Sequence, residues 1–357
     1  MVKTRSELLD QYYTKRPIAK ELYEITVSFL NENNIEFDCW LEPAAGDGAF
    51  FELLPPDSRL GIDIDARLDE IIEDNFFTID IKEFRGLRYV AIGNPPFGKN
   101  ATLAIRFFNR CADMCEVVAF IVPRTFKKPS VINRLHPCFH KMFEKELPDN
   151  SFEIEGIEKT VPCVFQIWVK RPDDRLRIRC HRCHPDLEFL PPDRLHEATI
   201  LFQRVGGGAG TFKDPGEGSG YSWKSNYHIR CSTATARVLR TIVEWPSKYD
   251  TAGNPSISKS DLIEAYIEAK MPKVHNKHHN TAPLDAVYCG RGSIAGNLFV
   301  IGKDGDRDEV CNKFEQYIEN NPDLKRQIIE YCRGRDLVCF CKPKRCHCDY
   351  ILRIANE

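Results

Sequence analysis

Apolar residues recur along this chain in two rhythms. Between residues 17 and 34, Ile18, Leu22, Ile25 and Phe29 stand three or four positions apart, and the segment closes in the polar run Asn31-Glu32-Asn33-Asn34. That spacing lines one face of a helix and predicts an amphipathic one. Short unbroken apolar runs follow: Cys39–Leu41, Leu60–Ile64, Tyr89–Ile92, Val117–Val122 and Val164–Val169. Their length and continuity are those of strands buried on both faces. Helix-length stretches of mixed polarity, such as Ala101–Met114, separate most of them. Strands alternating with helices predict an α/β fold built on a doubly wound, mainly parallel, Rossmann-like sheet.

The rhythm lapses twice. From Arg204 to Gly220 the glycine density reads as a mobile loop without regular structure. After His275 a polar stretch, Asn276 to Asp285, sets off a C-terminal segment long enough for a small domain. The expected organisation is a main domain over residues 1–271, a linker over 272–283 and a second, smaller α/β domain over 284–357.

The chain has 357 residues, 42% of them hydrophobic, enough for a full core plus an appended domain. No run approaches the roughly 20 apolar residues of a membrane helix, and the N-terminal residues lack the apolar stretch of a secretion signal. A cytoplasmic protein without a membrane partner is expected. The 15 cysteines lie singly in hydrophobic segments or in one dense C-terminal group, which fits a reducing compartment. A formal net charge of -2 excludes a uniformly basic coat, so any contact with a polyanion must be a local patch.

Ligands of such sheets bind outside the carboxyl ends of the strands. The first strand runs into Glu42-Pro43-Ala44-Ala45-Gly46-Asp47-Gly48, where two glycines allow a tight turn and a close approach of backbone to ligand. The loop lacks the third glycine and the basic residues of a phosphate loop, and Glu42 at the strand tip would repel pyrophosphate. A carboxylate there suits a ligand with a cationic amine, such as the methionine part of S-adenosylmethionine. Asp63, ending the next strand, is placed to accept from ribose hydroxyls, and Asp80 closes a third segment.

The run Tyr89–Ile92 ends in Gly93-Asn94-Pro95-Pro96-Phe97-Gly98. Two prolines stop the strand and hold Asn94 extended. Asn-Pro-Pro is also an ordinary turn; placed after an acid-tipped glycine loop, its rigidity has a chemical use. An exocyclic aromatic amine is a poor nucleophile because its lone pair is delocalised into the ring. Two acceptors for its hydrogens, the Asn94 side-chain oxygen and the Pro95 carbonyl, draw the nitrogen toward tetrahedral geometry, and Phe97 offers a surface for the base to stack on.

The loop followed by the tetrad resembles the amino-group adenine methyltransferases, many of them phage- or prophage-encoded, and the likeness covers roughly residues 5–271. It implies S-adenosylmethionine as cofactor, with Glu42, Pro43, Ala44, Gly46, Gly48 and Asn94 lining it. Asp63 and Ile64 would hold its ribose, and Asp80 and Ile81 its adenine. Tyr13 and Thr14 belong to an Asp10–Thr14 stretch that resembles the segment packing on the methionine moiety. Asn94, Pro95, Pro96 and Phe97 form the catalytic pocket by the same resemblance. The expected reaction is methylation of adenine N6 in DNA by direct attack. The alternatives are the same reaction on RNA, methylation of a protein glutamine amide, and a non-catalytic cofactor-binding adaptor for nucleic acid. No segment reads as a large target-recognition domain.

Arg124, Lys127 and Lys128 follow the Val117–Val122 run and are candidate phosphate contacts. Arg175, Arg177 and Arg179 alternate as on a strand with a cationic face. A solvated surface suits either patch as well as a nucleic-acid groove does. Cys180-His181-Arg182-Cys183-His184 has half of a zinc site's spacing with no second pair at the usual distance, and reads as structural or incidental. Cys339, Cys341, Cys346, His347 and Cys348 are denser, and fit either a metal site or buried small hydrophobes. Around them, residues 284–355 look like a small cysteine- and histidine-bearing domain family of unassigned function.

Overall fold

A computed structural model describes residues 12–80, 86–154, 156–216, 222–251 and 253–356. These form two units, divided between Ala265 and Tyr266. The strands of unit 1 are β1 (Tyr13–Thr14), β2 (Cys39–Glu42), β3 (Arg59–Asp63), β4 (Ile72–Glu73), β5 (Tyr89–Gly93), β6 (Cys115–Pro123), β7 (Phe139–Glu146), β8 (Phe152–Ile154), β9 (Ile157–Lys159), β10 (Cys163–Lys170), β11 (Glu188–Phe189), β12 (Ile200–Gln203), β13 (Phe212–Lys213) and β14 (Asn226–Arg230). Seven of them make the central sheet in the order β4-β3-β2-β5-β6-β10-β7. β4, β3, β2, β5 and β6 are mutually parallel, while β10 runs antiparallel to both of its neighbours. The architecture is the expected doubly wound, mainly parallel, Rossmann-like sheet.

Its strands form where both faces are covered. β5 is buried throughout and β6 at all but one position. Helix α1 (Arg16–Glu32) turns Ala19, Leu22, Thr26 and Leu30 inward, and α2 (Thr102–Ala112) buries Ala104, Ile105, Phe107, Phe108 and Cys111. From β2 the chain moves to β3 and β4 on one side, then returns through β5 and β6 to the other. Strand order therefore reverses between β2 and β5, and a crevice opens outside their carboxyl ends.

Two expectations are corrected in unit 1. The Arg204–Gly220 segment is no structureless loop: β13 lies within it and pairs with β12, and the Trp245 indole donates to the Gly210 carbonyl at 3.0 Å. Glycine there serves close packing, since a Cβ on Gly210 would sit 2.5 Å from Trp245 Cδ1. Residues 217–220 of that segment lie outside the described ones. The arginines after β10 form no strand. Arg175 instead turns inward and donates to the carbonyls of Ile132 at 2.7 Å and His136 at 3.2 Å, and burial lowers its pKa. The edge strand β7, in which only Phe139 is buried, carries no continuous apolar run to announce it.

The short sheet β1-β8-β9 fixes Thr14 opposite Phe152. Minor helices α3 (Pro129–Ile132) and α4 (Thr233–Leu239) follow, and α5 (Lys259–Lys270) contains the unit boundary. Unit 2 has β15 (Val274–Asn276), β16 (Val287–Tyr288) and β17 (Leu337–Cys339), with helices α6 (Arg307–Glu319), α7 (Pro322–Cys332) and α8 (His347–Asn356). β17 lies between β15 and β16 and runs parallel to both. The stretch expected as a linker over 272–283 therefore contributes a strand, because Val274–Asn276 finds hydrogen-bonding partners along β17.

Candidate active site

Both glycines of the loop after β2 lie in the left-handed region, Gly46 at φ +55° and Gly48 at φ +81°. Asp63 closes that loop from the neighbouring strand. One of its carboxylate oxygens accepts from the Gly46 amide at 2.7 Å and the other from the Asp65 amide at 2.9 Å. The Tyr13 ring covers the turn so closely that a Cβ on Gly46 would touch it at 3.4 Å, and the Arg67 guanidinium lies over the same ring at 4.6 Å.

Glu42 is the buried acid of the site, 2% exposed. Burial, and next the charge of Asp47, push its carboxyl well above the usual range. Its Oε2 has no hydrogen-bond partner, and neither has Thr14 Oγ1, which is also buried. Orphaned buried oxygens in a native fold call for an explanation. Both residues line one cavity of about 790 Å³, within the size range of small-molecule sites. A polar ligand with a cationic amine would satisfy the two oxygens, so the residues present fit S-adenosylmethionine.

The tetrad opens into the same cavity, which Asn94, Pro95, Pro96 and Phe97 line together with Thr14, Glu42, Pro43, Ala44, Gly46, Asp63 and Ile64. Gly93 joins the two halves. Its φ of +146° is open to glycine, and a Cβ there would lie 3.2 Å from Glu42 Cγ. The Asn94 amide nitrogen donates to the Tyr12 carbonyl at 2.8 Å. A carbonyl only accepts, so the nitrogen is committed to Tyr12 and the side-chain oxygen points the other way. Phe97 is 9% exposed and belongs to the core cluster, and its carbonyl accepts from Leu103 and Ala104 at the start of α2. The expected stacking surface is thus anchored on one side and reaches the cavity on the other.

Not every expected residue is brought here: Gly48 does not line this cavity, and a Cβ there would lie 2.5 Å from Leu68 Cδ1. Asp80 is exposed and does not line this cavity, because β4 ends at Glu73 and the acid at its carboxyl end is Asp74. Asp74 and Asn75 take that place on the wall, with Phe76, Phe77 and, from α2, Arg106 and Phe107. Phe76 and Phe107 stack at 5.5 Å, and Arg106 sits 4.2 Å over the Phe77 ring. The two-residue β4 carries no apolar run, so the sequence offers Asp80, not Asp74, as the acid closing this segment. Ile81 lies outside the described residues, as do Asp10 and Gln11.

Arg124 and Lys127 do follow β6, yet neither lines the cavity, and carboxylates hold both. Glu146 accepts from Arg124 Nε and from Lys127 Nζ, each at 2.8 Å, and Asp250 lies 3.6 Å from Lys127. These ion pairs neutralise the charge on which the phosphate reading rested. Lys128 follows them half-buried, also away from the cavity. Lys99, on the turn after the tetrad, is a cation that does reach the cavity wall. Cys180, Cys183 and His184 gather into no ligand cluster among the described residues.

Comparison with known proteins places no family over the whole chain. Residues 273–357 match a domain of unknown function, DUF4326. An uncharacterised 12.4 kDa protein from the nrdA-td intergenic region of Enterobacteria phage T4 is 37% identical over 71 residues, 19% of this chain. The match spans 64% of the length of that phage protein. Among solved structures, a proposed RNA methyltransferase from Pyrococcus horikoshii is 18% identical, covers 47% of this chain and 91% of its own, and has a TM-score of 0.35. The 23S rRNA methyltransferase ErmE is 18% identical over 42% of this chain and 69% of its own, with a TM-score of 0.32. A Thermoplasma acidophilum protein is 13% identical over 43% and 89%, with a TM-score of 0.30. Likenesses of this size leave the function to be read from the residues of the cavity.

Proposed function

We propose that unit 1 is an S-adenosylmethionine-dependent methyltransferase acting on N6 of adenine in nucleic acid, with DNA as the first polymer to test. The observation that carries this reading is one shared wall. Gly93 brings the tetrad against Glu42, so the Asn94 carbonyl and the glycine loop face a single cavity.

S-adenosylmethionine supplies an electrophilic methyl group on a sulfonium. Thr14, Glu42 and the Gly46–Asp47 backbone would hold its amino-acid end. Asp74, Asn75 and the Phe76–Phe107 pair would hold its nucleoside end. Asp63 keeps the glycine loop in shape through two backbone amides, one on each oxygen, and its remaining lone pairs would accept from the ribose hydroxyls.

On the substrate side, Asn94 Oδ1 and the Pro95 carbonyl accept the two amine hydrogens. Each bond shifts electron density back to the nitrogen, and the second requires it to leave the ring plane. The tetrad carries no thiol, so these residues support direct attack without a covalent enzyme intermediate. A base in a duplex must leave the stack to reach such a wall, at a cost of about a few kcal/mol. Contact with the rim of Phe97 would offset part of that cost.

The test uses methyl-labelled cofactor with unmethylated DNA and, separately, RNA. Label enters DNA in the expected outcome, while Asn94→Ala abolishes transfer and leaves cofactor affinity, measured by calorimetry, within a few-fold of wild type. Label in RNA alone would reassign the polymer. Cofactor binding with transfer to neither would favour a non-catalytic adaptor, and an unchanged rate in Asn94→Ala would remove the mechanism.

A further inference from the structure

Unit 2 holds a cluster that the proposed methyl transfer does not use. The sulfurs of Cys339, Cys346 and Cys348 and a ring nitrogen of His347 all lie within 4.8 Å of one another. All four residues are buried, between 0% and 5% exposed. Cys339 ends β17, Cys346 immediately precedes α8, and His347 and Cys348 begin it, so the cluster forms where the strand and the helix meet.

Three buried thiols would by themselves pass for small hydrophobic residues. The imidazole argues otherwise. His347 Nε2 lies 2.9 Å from the Cys289 carbonyl oxygen, which can only accept, so this nitrogen carries the proton. The lone pair is then on Nδ1, which faces the Cys346 sulfur at 3.7 Å. Nε2 also lies 3.6 Å from the Cys348 sulfur, so the ring sits between two sulfurs, and a histidine whose N–H is fixed by a backbone carbonyl while its free nitrogen faces a thiol has the orientation of a metal ligand.

We propose that Cys339, Cys346, His347 and Cys348 bind one zinc ion. Three thiolates and an imidazole are a tetrahedral zinc donor set, and with Zn–S near 2.3 Å neighbouring sulfurs stand about 3.8 Å apart. The present spread of up to 4.8 Å closes to that figure with about an ångström of contraction. Binding releases the three thiol protons to solvent. Four protein ligands leave no position for water or substrate, so the site is structural and ties β17 to α8. Cys341 stays outside the set, although its sulfur is 3.6 Å from that of Cys339, because it is not one of the four converging donors. A cavity of about 310 Å³ borders Cys339 and His347 and gives the ion a way in.

The full-length chain, purified under reducing conditions, should contain about one zinc per molecule by elemental analysis. Cobalt(II) in its place should give thiolate-to-metal charge-transfer absorption and tetrahedral d–d bands. Cys346→Ser combined with Cys348→Ser should lose the metal, while Cys341→Ser keeps it and His347→Cys, which preserves a four-donor set, keeps it too. Should the double variant fail to fold, cobalt titration of the wild-type chain decides alone. Protein that carries no zinc and takes up neither ion would overturn the proposal, as would loss of zinc in Cys341→Ser or an iron–sulfur chromophore.

Discussion

A carboxylic acid that is 2% exposed and has one oxygen without a partner, as Glu42 is, titrates far from its ordinary range. Burial raises its pKa well above the usual carboxylate value, so the folded chain keeps a proton that the unfolded chain has already lost. The resulting stability is fully present below the unfolded value of about 4.3 and drains away as pH rises toward the folded value. For one group the slope reaches at most about 1.4 kcal/mol per pH unit. Glu42→Gln removes the titration while keeping the shape. Urea melts of the two proteins between mildly acidic and neutral pH should show wild type losing stability relative to the variant as pH climbs; parallel curves would mean that Glu42 does not titrate in this window. Bound S-adenosylmethionine would reverse the preference, since a cationic amine beside Glu42 favours the carboxylate.

At the scale of elements, the junction of β5 with the tetrad decides whether the two halves of the site meet. Gly93→Ala would strain a backbone at φ +146° and set a methyl group 3.2 Å from Glu42 Cγ. It should destabilise unit 1 by about 1–3 kcal/mol and weaken cofactor binding more than tenfold by calorimetry. Wild-type affinity in that variant would deny the contact its importance. The buried strands β2, β3, β5, β6 and β10 were legible as apolar runs, and α1 as an apolar stripe, because continuous burial writes itself into the sequence. β4 and β7 were not. Partial exposure along β7 and the two-residue length of β4 leave no pattern to read, so the sequence points to Asp80 where the wall acid is Asp74. The aromatic wall of Phe76, Phe77 and Phe107 was hidden for a related reason, since helix spacing alone assigns Phe107 to the core and says nothing of which end of it meets a cavity. Arg124 and Lys127 illustrate the converse. A run of cations is visible in sequence, but the carboxylates that neutralise it come from residues 17 and more positions away.

For the molecule as a whole, the near-neutral charge balance and the pairing of those cations point to a substrate held more by the cavity than by a broad field. The central claim is therefore about chemistry at one nitrogen. It is tested most directly by mass spectrometry of nucleosides digested from the DNA and RNA of cells expressing the wild-type chain or Asn94→Ala. The account predicts N6-methyladenine in the DNA of wild-type cells, above the level in Asn94→Ala cells. A methylated nucleoside carrying its new group anywhere other than an adenine N6, or equal levels in both strains, would contradict it.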